Sequence, residues 1–263
     1  MGNLLSLFSL FSKGGERDPE SVDVHDVDVV CCSTLQESSS DSEEESRMLE
    51  LFSGTGRLAL AFRERGWETV TLDSNRDADI RCDVLDWDYS AVQPFDHVHM
   101  SPPCTEWSQA KTRGVRDIEA ATRVCCAALS AARALLKPEG TLSIENPASG
   151  RWALHKQPFM AELALRRHEL TYCSYGEPYR KLTSLWSDLP WTPRQPCRGE
   201  HRCSPSRRLG HHPVSAQKGP SQGRPHDHCK TAQLSALPYA LCRELASAAH
   251  TRFEPTLLQG APA

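Results

Sequence analysis

"MLELFSGTGRLALAFRERG" occupies residues 48–66 and begins with an apolar run, 48–53, that is typical of a buried strand. Gly54 and Gly56 follow at once, and the residues after them carry apolar side chains at helical spacing. Glycine at a strand-to-helix turn lets the backbone approach a ligand that a Cβ would exclude. The stretch therefore predicts a strand, a ligand-binding turn and a helix.

Strand-like and helix-like segments continue to alternate along the chain. The further strands are predicted at 69–73, 78–84, 96–101, 141–146, 170–176 and near 184–189. Helices are predicted at 118–137, near 156–166 and at 238–250. This alternation predicts an α/β fold built on a doubly wound, mostly parallel sheet.

Composition divides the chain into regions. Residues 1–46 hold 11 acidic and 2 basic residues, whereas the remainder has an excess of five basic residues. We interpret 1–46 as a disordered acidic leader, because it has too little apolar surface to offset the entropy cost of ordering. The other predicted regions are a main domain at 47–190, a small basic segment rich in His and Cys at 191–230, a helix that closes the main domain at 231–253, and a tail at 254–263.

Cysteine usage indicates the compartment. Eleven cysteines are scattered along the chain, an odd count that does not suit a disulfide framework. The N-terminal stretch 1–12 lacks the basic region and cleavage site of a secretion signal. The sequence contains no run of about 18 apolar residues, so it predicts no membrane span. We therefore expect a reducing, intracellular location, in the nucleus if the host is eukaryotic or the chain is viral.

The sequence does not decide the role of two short motifs in the leader. Gly2 and Ser6 match the N-myristoylation pattern, which is permissive. The apolar patch at 27–30, beside an acidic serine run, resembles a SUMO-interaction motif. A solvated tail is the interpretation that the composition of the leader favours.

Acidic residues follow the predicted second and third strands. Asp73 is placed to accept hydrogen bonds from ribose hydroxyls, and Asp83 is placed to accept one from an adenine amine. Both belong to the sheet edge that carries the glycine turn, since ligands of open α/β sheets bind at the carboxyl ends of the strands. Gly54, Gly56 and Ala59 also satisfy the loose dinucleotide fingerprint. At this point a nicotinamide dinucleotide and S-adenosylmethionine are both possible ligands.

"SPPCTEWSQAKT" (101–112) follows the predicted fourth strand and brings a thiol to the same edge. Pro102 and Pro103 restrict the backbone, so Cys104 is held in one orientation, which suits a nucleophile. The strand at 141–146 delivers Glu145 to this edge as well. A thiol and a carboxyl group are therefore expected to face a nucleotide-type cofactor.

An ordered set of motifs, "LELFSGTG", "LD", "CDV", "SPPCTEWS", "SIENP", "YGEPYRK" and "LPYALCREL", resembles the cytosine-5 DNA methyltransferase family, particularly its compact forms. The resemblance covers residues 48 to about 190 and returns at 231–246. It implies a Rossmann-like S-adenosylmethionine-dependent methyltransferase sheet with a small irregular target-recognition insert. It also implies methyl transfer to C5 of a cytosine flipped out of double-stranded DNA, through a covalent Cys104 adduct.

The resemblance assigns roles to residues of this chain. Cys104 is the implied nucleophile, Glu145 the partner of cytosine N3, and Arg180 and Lys181 the basic groups of the site. The cofactor S-adenosylmethionine is implied to contact Phe52, Gly54, Thr55, Gly56, Asp73, Asp83, Val84 and Pro102. The chain departs from the family pattern where most members have glutamine, at Thr105, and where a second arginine is expected, near Thr183 or Ser184.

The segment after these motifs reads the DNA target in the family. Six basic residues are expected to bind phosphates there: Arg194, Arg198, Arg202, Arg207, Arg208 and Lys218. Six potential zinc ligands lack the two-residue gaps of strong zinc motifs: Cys197, His201, Cys203, His211, His212 and Cys229. We therefore expect an irregular loop without a metal, with a structural zinc site as the alternative, in a protein that acts as a monomer.

Three other functions fit part of the pattern. An RNA cytosine-5 methyltransferase would use the same chemistry on the base. A non-catalytic nucleic-acid or chromatin binder would explain the departure at Thr183 and Ser184. An amino methyltransferase is a poorer match, because such enzymes stack an aromatic side chain of an "SPPY"-type turn on the base, and Cys104 occupies that position here.

Overall fold

The computed structural model describes residues 45–75, 77–199, 203–207, 209–216, 227–228 and 231–253. The compact unit to which they belong runs from Glu43 to Ala263. The possible motifs at Gly2, Ser6 and 27–30 and the predicted tail lie outside the described residues. The domain boundaries given above remain predictions.

A six-stranded sheet forms the centre of the fold, in the order β2-β1-β3-β4-β6-β5. Its strands are β1 Arg47–Leu51, β2 Glu68–Leu72, β3 Phe95–Met100, β4 Leu136–Pro147, β5 Arg166–Thr171 and β6 Leu182–Ser187. The first four are parallel to one another, whereas β6 runs antiparallel to both β4 and β5. The predicted α/β class, a Rossmann-like and mostly parallel sheet, is confirmed.

Helices cover both faces of this sheet. They are α1 Arg57–Arg63, α2 Ile118–Leu135, α3 Pro158–Ala161, α4 Ser204–Arg207, α5 Thr231–Ser235 and α6 Tyr239–Phe253. Two 3-10 helices, Leu154–Lys156 and Tyr172–Tyr175, and a small ladder of β7 Val214–Ser215 with β8 Asp227–His228 complete the described elements. Within the described residues, no helix is both long enough and apolar enough to cross a membrane.

Two apolar clusters, one on each face, explain why the parallel strands read as nearly continuous apolar runs. On one face, α2 packs Ala128 and Leu135 against strand residues such as Val98. On the other face, Leu58 of α1 and Leu245 of α6 share a cluster with Met48, Leu170 and Leu185. Packing on both faces holds the parallel strands in place, and their carboxyl ends form the edge that carries the candidate site.

The two histidines of β3 belong to this core. His97 is hydrogen-bonded through Nδ1 to Thr141 Oγ1 (2.8 Å) and through Nε2 to Ser143 Oγ (3.0 Å). His99 is bonded to Ser143 Oγ (2.7 Å) and to Ser101 Oγ (2.9 Å). Burial lowers the pKa of both rings to about 3, so they are neutral at physiological pH. Each ring nitrogen is thus hydrogen-bonded to a hydroxyl group, and these bonds stabilise β3, the strand that leads to the site.

Three predicted elements were wrong in part. The segment 78–84 is not a strand, because a single bridge joins Ile80 to Leu72 and Asp79 accepts hydrogen bonds from the backbone and hydroxyl of Thr71. The helix expected near 156–166 is reduced to a 3-10 turn and the four-residue α3. The strand expected at 170–176 ends at Thr171 and continues as a 3-10 helix up to Gly176, whose φ is 95°.

Candidate active site

The site lies at the carboxyl ends of β1, β3 and β4. The chain leaves β1 through α1 to reach β2 on one side, while β3 lies on the other side of β1. This change of direction is a topological switch point, the position where open α/β sheets bind ligands. The glycine turn follows β1, the Pro-Pro-Cys turn follows β3, and Glu145 and Asn146 lie near the end of β4.

The glycine turn adopts a backbone that favours glycine. Gly54 and Gly56 have φ values of 54° and 64°, and Phe52, just before them, has φ 60°. A Cβ built on Gly56 would meet no atom within 4 Å, so the turn faces open space. Thr55 is exposed beside it and Phe52 is partly buried. A turn of this shape leaves room for a ligand to lie against the backbone.

Asp73 is hydrogen-bonded to that turn, whereas Asp83 lies in the loop after Ile80. Asp73 Oδ2 accepts a hydrogen bond from the Gly54 N–H (3.0 Å) and Oδ1 accepts one from the Asn75 N–H (2.8 Å), which orients the carboxylate. Each oxygen keeps a lone pair for a hydroxyl group. Asp83 is exposed and accepts from the Leu85 N–H (3.0 Å). Contact between these two carboxylates and a cofactor stays a prediction.

The two remaining predicted cofactor residues are buried. Val84 belongs to the apolar cluster on the α2 face and is 6% exposed. Pro102 is also buried, and its carbonyl oxygen accepts a hydrogen bond from Asn146 Nδ2 (2.9 Å). Contact between these residues and a cofactor stays a prediction.

Glu50, within β1, was not predicted to matter for the site. It is 4% exposed and accepts a hydrogen bond from the Ala59 N–H (2.9 Å) at the start of α1. Burial is the main cause that raises its pKa to about 8, and the charge of Asp73 adds to the rise. The carboxyl group therefore ties β1 to the helix that follows the glycine turn.

Cys104 stands at the start of a compact turn. Its carbonyl oxygen accepts hydrogen bonds from the N–H groups of Trp107 (3.1 Å) and Ser108 (2.8 Å). The side chain is partly exposed. Burial raises the pKa of the thiol; the positive charge of Lys181 opposes the rise and the negative charge of Glu145 adds to it. The sulfur is thus close enough to both groups to respond to their charges.

Glu145 has two partners that hold it in place. Tyr172 donates its hydroxyl hydrogen to Glu145 Oε1 (2.9 Å), and Lys181 Nζ lies 3.4 Å from the same oxygen. Lys181 Nζ also lies 3.1 Å from the Tyr172 hydroxyl oxygen and 4.4 Å from the centre of its ring. The side chains of Glu145 and Lys181 are 6% and 14% exposed. Cys104, Glu145 and Lys181 therefore form one partly buried group at the sheet edge, which we call the thiol–carboxyl centre.

Arg180 takes a different direction. Its Nε donates to the carbonyl oxygen of Cys197 (2.8 Å), whereas the adjacent Lys181 contacts Glu145. Thr183 and Ser184 are fully buried in β6. Arg167 donates to Ser184 Oγ (3.0 Å), but Ser184 pairs with Asn146 and so lies on the opposite face from Glu145. Among the described residues, the cation that contacts Glu145 is Lys181.

Arg116 organises the loop that carries Cys104, a role that the sequence did not indicate. Its guanidinium donates to the carbonyl oxygens of Thr105 (3.3 Å), Glu106 (2.5 Å), Ser108 (2.9 Å) and Lys111 (2.8 Å). A single side chain therefore holds much of the loop that follows the Pro-Pro-Cys turn. No residue spacing in the sequence points to such a contact.

The predicted phosphate contacts divide into three groups. Arg194 is engaged within the protein, since its Nε donates to Glu244 Oε1 (2.7 Å) and its guanidinium lies 4.9 Å from the centre of the Tyr175 ring. Arg198 and Arg207 are exposed. The other three, Arg202, Arg208 and Lys218, lie outside the described residues. DNA binding by this set stays a prediction.

Within its described residues, the basic segment contains α4, β7 and β8 and brings several potential metal ligands together. Of the six potential metal ligands, Cys197, Cys203 and His212 come together, and Cys173 joins them. His201 and Cys229 lie outside the described residues. Cys173 was assigned to a predicted strand. Because it is distant in sequence from the other ligands, it was not predicted to join them.

The chain matches no protein-family model. It is 30% identical over 194 residues to a protein of frog virus 3 (isolate Goorha) named "Probable DNA (cytosine-5)-methyltransferase", with 68% of this chain and 82% of the relative covered.

Similar solved structures include S. pombe Dnmt2 methyltransferase, at 14% identity and a TM-score of 0.40. The match covers 58% of this chain and 52% of that one. Entamoeba histolytica methyltransferase EhMeth is 13% identical with a TM-score of 0.39, over 60% of this chain and 57% of that one. The chain thus spans about half the length of these solved structures.

Proposed function

Because the chain belongs to the DNA (cytosine-5)-methyltransferase family, we propose that it transfers a methyl group from S-adenosylmethionine to C5 of cytosine in double-stranded DNA. The observation that carries this proposal is the thiol–carboxyl centre. It combines a partly exposed thiol, a buried carboxyl group and a lysine at the carboxyl ends of β3 and β4. The glycine turn that fits the cofactor lies at the same edge.

The cofactor site is built from the glycine turn and the two acidic residues. S-adenosylmethionine supplies an electrophilic methyl group when it is bound. Gly54 and Gly56 let its amino-acid portion lie against the backbone, since no Cβ intervenes. Asp73, oriented by the Gly54 and Asn75 N–H groups, accepts hydrogen bonds from the ribose, and Asp83 accepts one from the adenine amine.

Cys104 makes the cytosine ring reactive. The thiol loses its proton, and the thiolate forms a bond to C6 of the base. The electron pair of the C5–C6 double bond moves to form C4=C5, and the C4=N3 pair moves to N3, which takes a proton from the carboxyl group of Glu145. The ring has then lost its aromaticity, and C5 has become nucleophilic, as methyl transfer requires. Once C5 has taken the methyl group from the cofactor, which is left as S-adenosylhomocysteine, loss of the C5 proton to solvent and rupture of the C6–S bond restore the thiolate. N3 returns its proton to Glu145.

Glu145 and Lys181 stabilise this addition. Glu145 holds the proton at N3 while charge builds there, and Tyr172 orients the carboxyl group through its 2.9 Å hydrogen bond. Lys181 takes the place of the arginine expected near Thr183 and Ser184, and its charge favours the thiolate of Cys104. A carboxyl group and an ammonium group fixed before the base arrives need no reorganisation during the reaction.

The base must leave the duplex before Cys104 can reach it. C6 is inaccessible inside stacked base pairs, so the target cytosine flips into the site. The exposed Arg198 and Arg207, on the segment that follows β6, are suited to hold the phosphates of the backbone. Since one chain carries every group of the thiol–carboxyl centre, we propose that the protein acts as a monomer.

The test uses duplex DNA that contains 5-fluorocytosine, in which C5 carries no proton to lose, together with labelled S-adenosylmethionine. We expect a covalent protein–DNA adduct that carries the label and is absent for Cys104→Ala. Cys126→Ala is the matched control, because Cys126 is a partly buried cysteine of α2. It should form the adduct as the parent does.

Other outcomes identify the alternatives. Methyl transfer that survives Cys104→Ala would indicate amino methylation. Transfer to RNA and not to DNA would indicate an RNA enzyme, and transfer to neither would indicate a binding protein. Each of these results would overturn the proposed function.

A further inference from the structure

A cluster of soft metal ligands lies outside the thiol–carboxyl centre. It contains the thiols of Cys173, Cys197 and Cys203 and the imidazole of His212. One ligand atom from each lies within 4.8 Å of all the others. The three cysteines are buried and have free thiols, and they form an apolar cluster of their own. Nothing in the proposed methylation chemistry uses this group.

The distances fit one tetrahedral ion. A zinc ion with Zn–S bonds of about 2.3 Å places its ligand atoms about 3.8 Å apart. The Nε2 atom of His212 lies 3.8 Å from Cys197 Sγ and 3.2 Å from Cys203 Sγ. The four atoms therefore need to move by at most about 1 Å to surround an ion at bonding distance.

Hydrogen bonds already hold the backbone of this cluster. The Cys197 N–H donates to Thr171 Oγ1 (2.8 Å) and its carbonyl oxygen accepts from Arg180 (2.8 Å). The carbonyl oxygen of Cys203 accepts from the N–H groups of Ser206 and Arg207 (both 3.1 Å). Contacts of this kind orient metal ligands before the ion binds.

We propose that Cys173, Cys197, Cys203 and His212 bind a structural zinc ion. Three thiolates and one imidazole match zinc, which favours sulfur and nitrogen ligands in a closed tetrahedral site. Such a site carries a net charge of −1, and the Arg180 guanidinium on the Cys197 carbonyl lies where it offsets that charge. The four ligands fill the coordination sphere, so no position is left for substrate.

The ion would join the basic segment to the sheet. Cys173 follows Tyr172, which is bonded to Glu145, whereas Cys197, Cys203 and His212 belong to the segment after β6. Zinc would thereby fix the segment predicted to contact DNA relative to the thiol–carboxyl centre. This role does not depend on the methyl transfer itself, because it follows from the ligands alone.

The experiment measures metal in the full chain, expressed with zinc in the medium and purified without chelators. Elemental analysis should find about one zinc per chain. A mercurial reagent that blocks thiols should release it, and Co²⁺ put in its place should give the absorption of a tetrahedral site with thiolate ligands. Removal of the ion should speed hydrogen exchange at 190–216 more than in β1 to β4.

Cys203→Ser and His212→Ala should lower the zinc content severalfold, and Cys126→Ser should leave it unchanged. If the ligand variants fail to fold, release of zinc from the parent protein by the mercurial still tests the proposal. A zinc-free parent protein would overturn it. So would equal zinc in Cys203→Ser and Cys126→Ser, or a disulfide among the three cysteines in protein handled without reductant.

Discussion

Tyr172 donates its hydroxyl hydrogen to Oε1 of Glu145 over 2.9 Å, although 27 residues separate them in the sequence. The bond joins the 3-10 helix after β5 to the end of β4. Burial is the main cause that raises the pKa of Tyr172 well above its ordinary value, and Glu145 adds to the rise, so the phenol stays a hydrogen-bond donor. The same carboxyl oxygen faces Lys181 at 3.4 Å. The orientation of the proposed N3 partner therefore depends on a residue outside the motif that contains it.

Tyr172→Phe removes this donor and keeps the ring. We expect the rate of methyl transfer in a single turnover to fall about 10- to 100-fold, because a hydrogen bond to a charged group is worth about 1.5–3 kcal/mol. Tyr175→Phe is the control, since Tyr175 accepts a bond from the Arg194 N–H and does not touch Glu145 in the described contacts. Equal rates for the two variants would contradict the positioning role of Tyr172.

Lys181 should set the pH at which Cys104 reacts. Burial raises the thiol pKa and Lys181 opposes that rise, so Lys181→Met should move the pKa further up. The thiolate is the reactive form, and alkylation of Cys104 by iodoacetamide should therefore increase with pH in both proteins, with the variant profile displaced to higher pH. Peptide mass spectrometry separates Cys104 from the other cysteines. Superimposed profiles would argue against Lys181 as the stabilising charge.

The sequence predicted the parts of the site that lie within continuous motifs. The glycine turn after β1, Cys104 after β3 and Glu145 near the end of β4 were all placed at one edge, because the carboxyl ends of parallel strands meet there. That argument needs only the order of strands and the residues that follow them. It failed at 78–84, which was predicted as a strand, because Asp79 instead accepts hydrogen bonds from the backbone and hydroxyl group of Thr71 in β2.

The rest depends on contacts between distant residues. Hydrophobic periodicity does not give strand direction, so the antiparallel direction of β6 and the turn at Tyr172 could not be predicted. Cys173 lies far in sequence from Cys197, and only the fold brings it to His212. The contact of Lys181 with Glu145 spans 36 residues. Sequence spacing reports local geometry, whereas these contacts arise from how the sheet is assembled.

Arg116 should control the Cys104 loop. Arg116→Ala removes the donors for four loop carbonyl groups, and we expect the rate constant for methyl transfer to fall about tenfold or more as the loop loses its fixed conformation. Binding of S-adenosylmethionine, measured by calorimetry, should change little, because the glycine turn is untouched.

Arg113→Ala, at an exposed position of the same loop, is the matched control. Faster hydrogen exchange at 104–116 in Arg116→Ala alone would identify the cause. A parent-like rate in Arg116→Ala would contradict the clamp.

Glu50 should make the stability of the protein depend on pH. Its pKa is about 8 in the folded chain and near 4.5 when the chain unfolds. Between these values the folded state binds one more proton than the unfolded state, so the free energy of unfolding should fall as the pH rises. Glu50→Gln cannot ionise and keeps an oxygen that accepts from the Ala59 N–H. We expect similar stability for the two proteins at pH 5, and a variant more stable by roughly 1–4 kcal/mol at pH 9.

Denaturant titrations across this range measure the difference, with the exposed Glu162→Gln as control. A constant difference between parent and Glu50→Gln from pH 5 to 9 would mean that the buried carboxyl does not carry this proton.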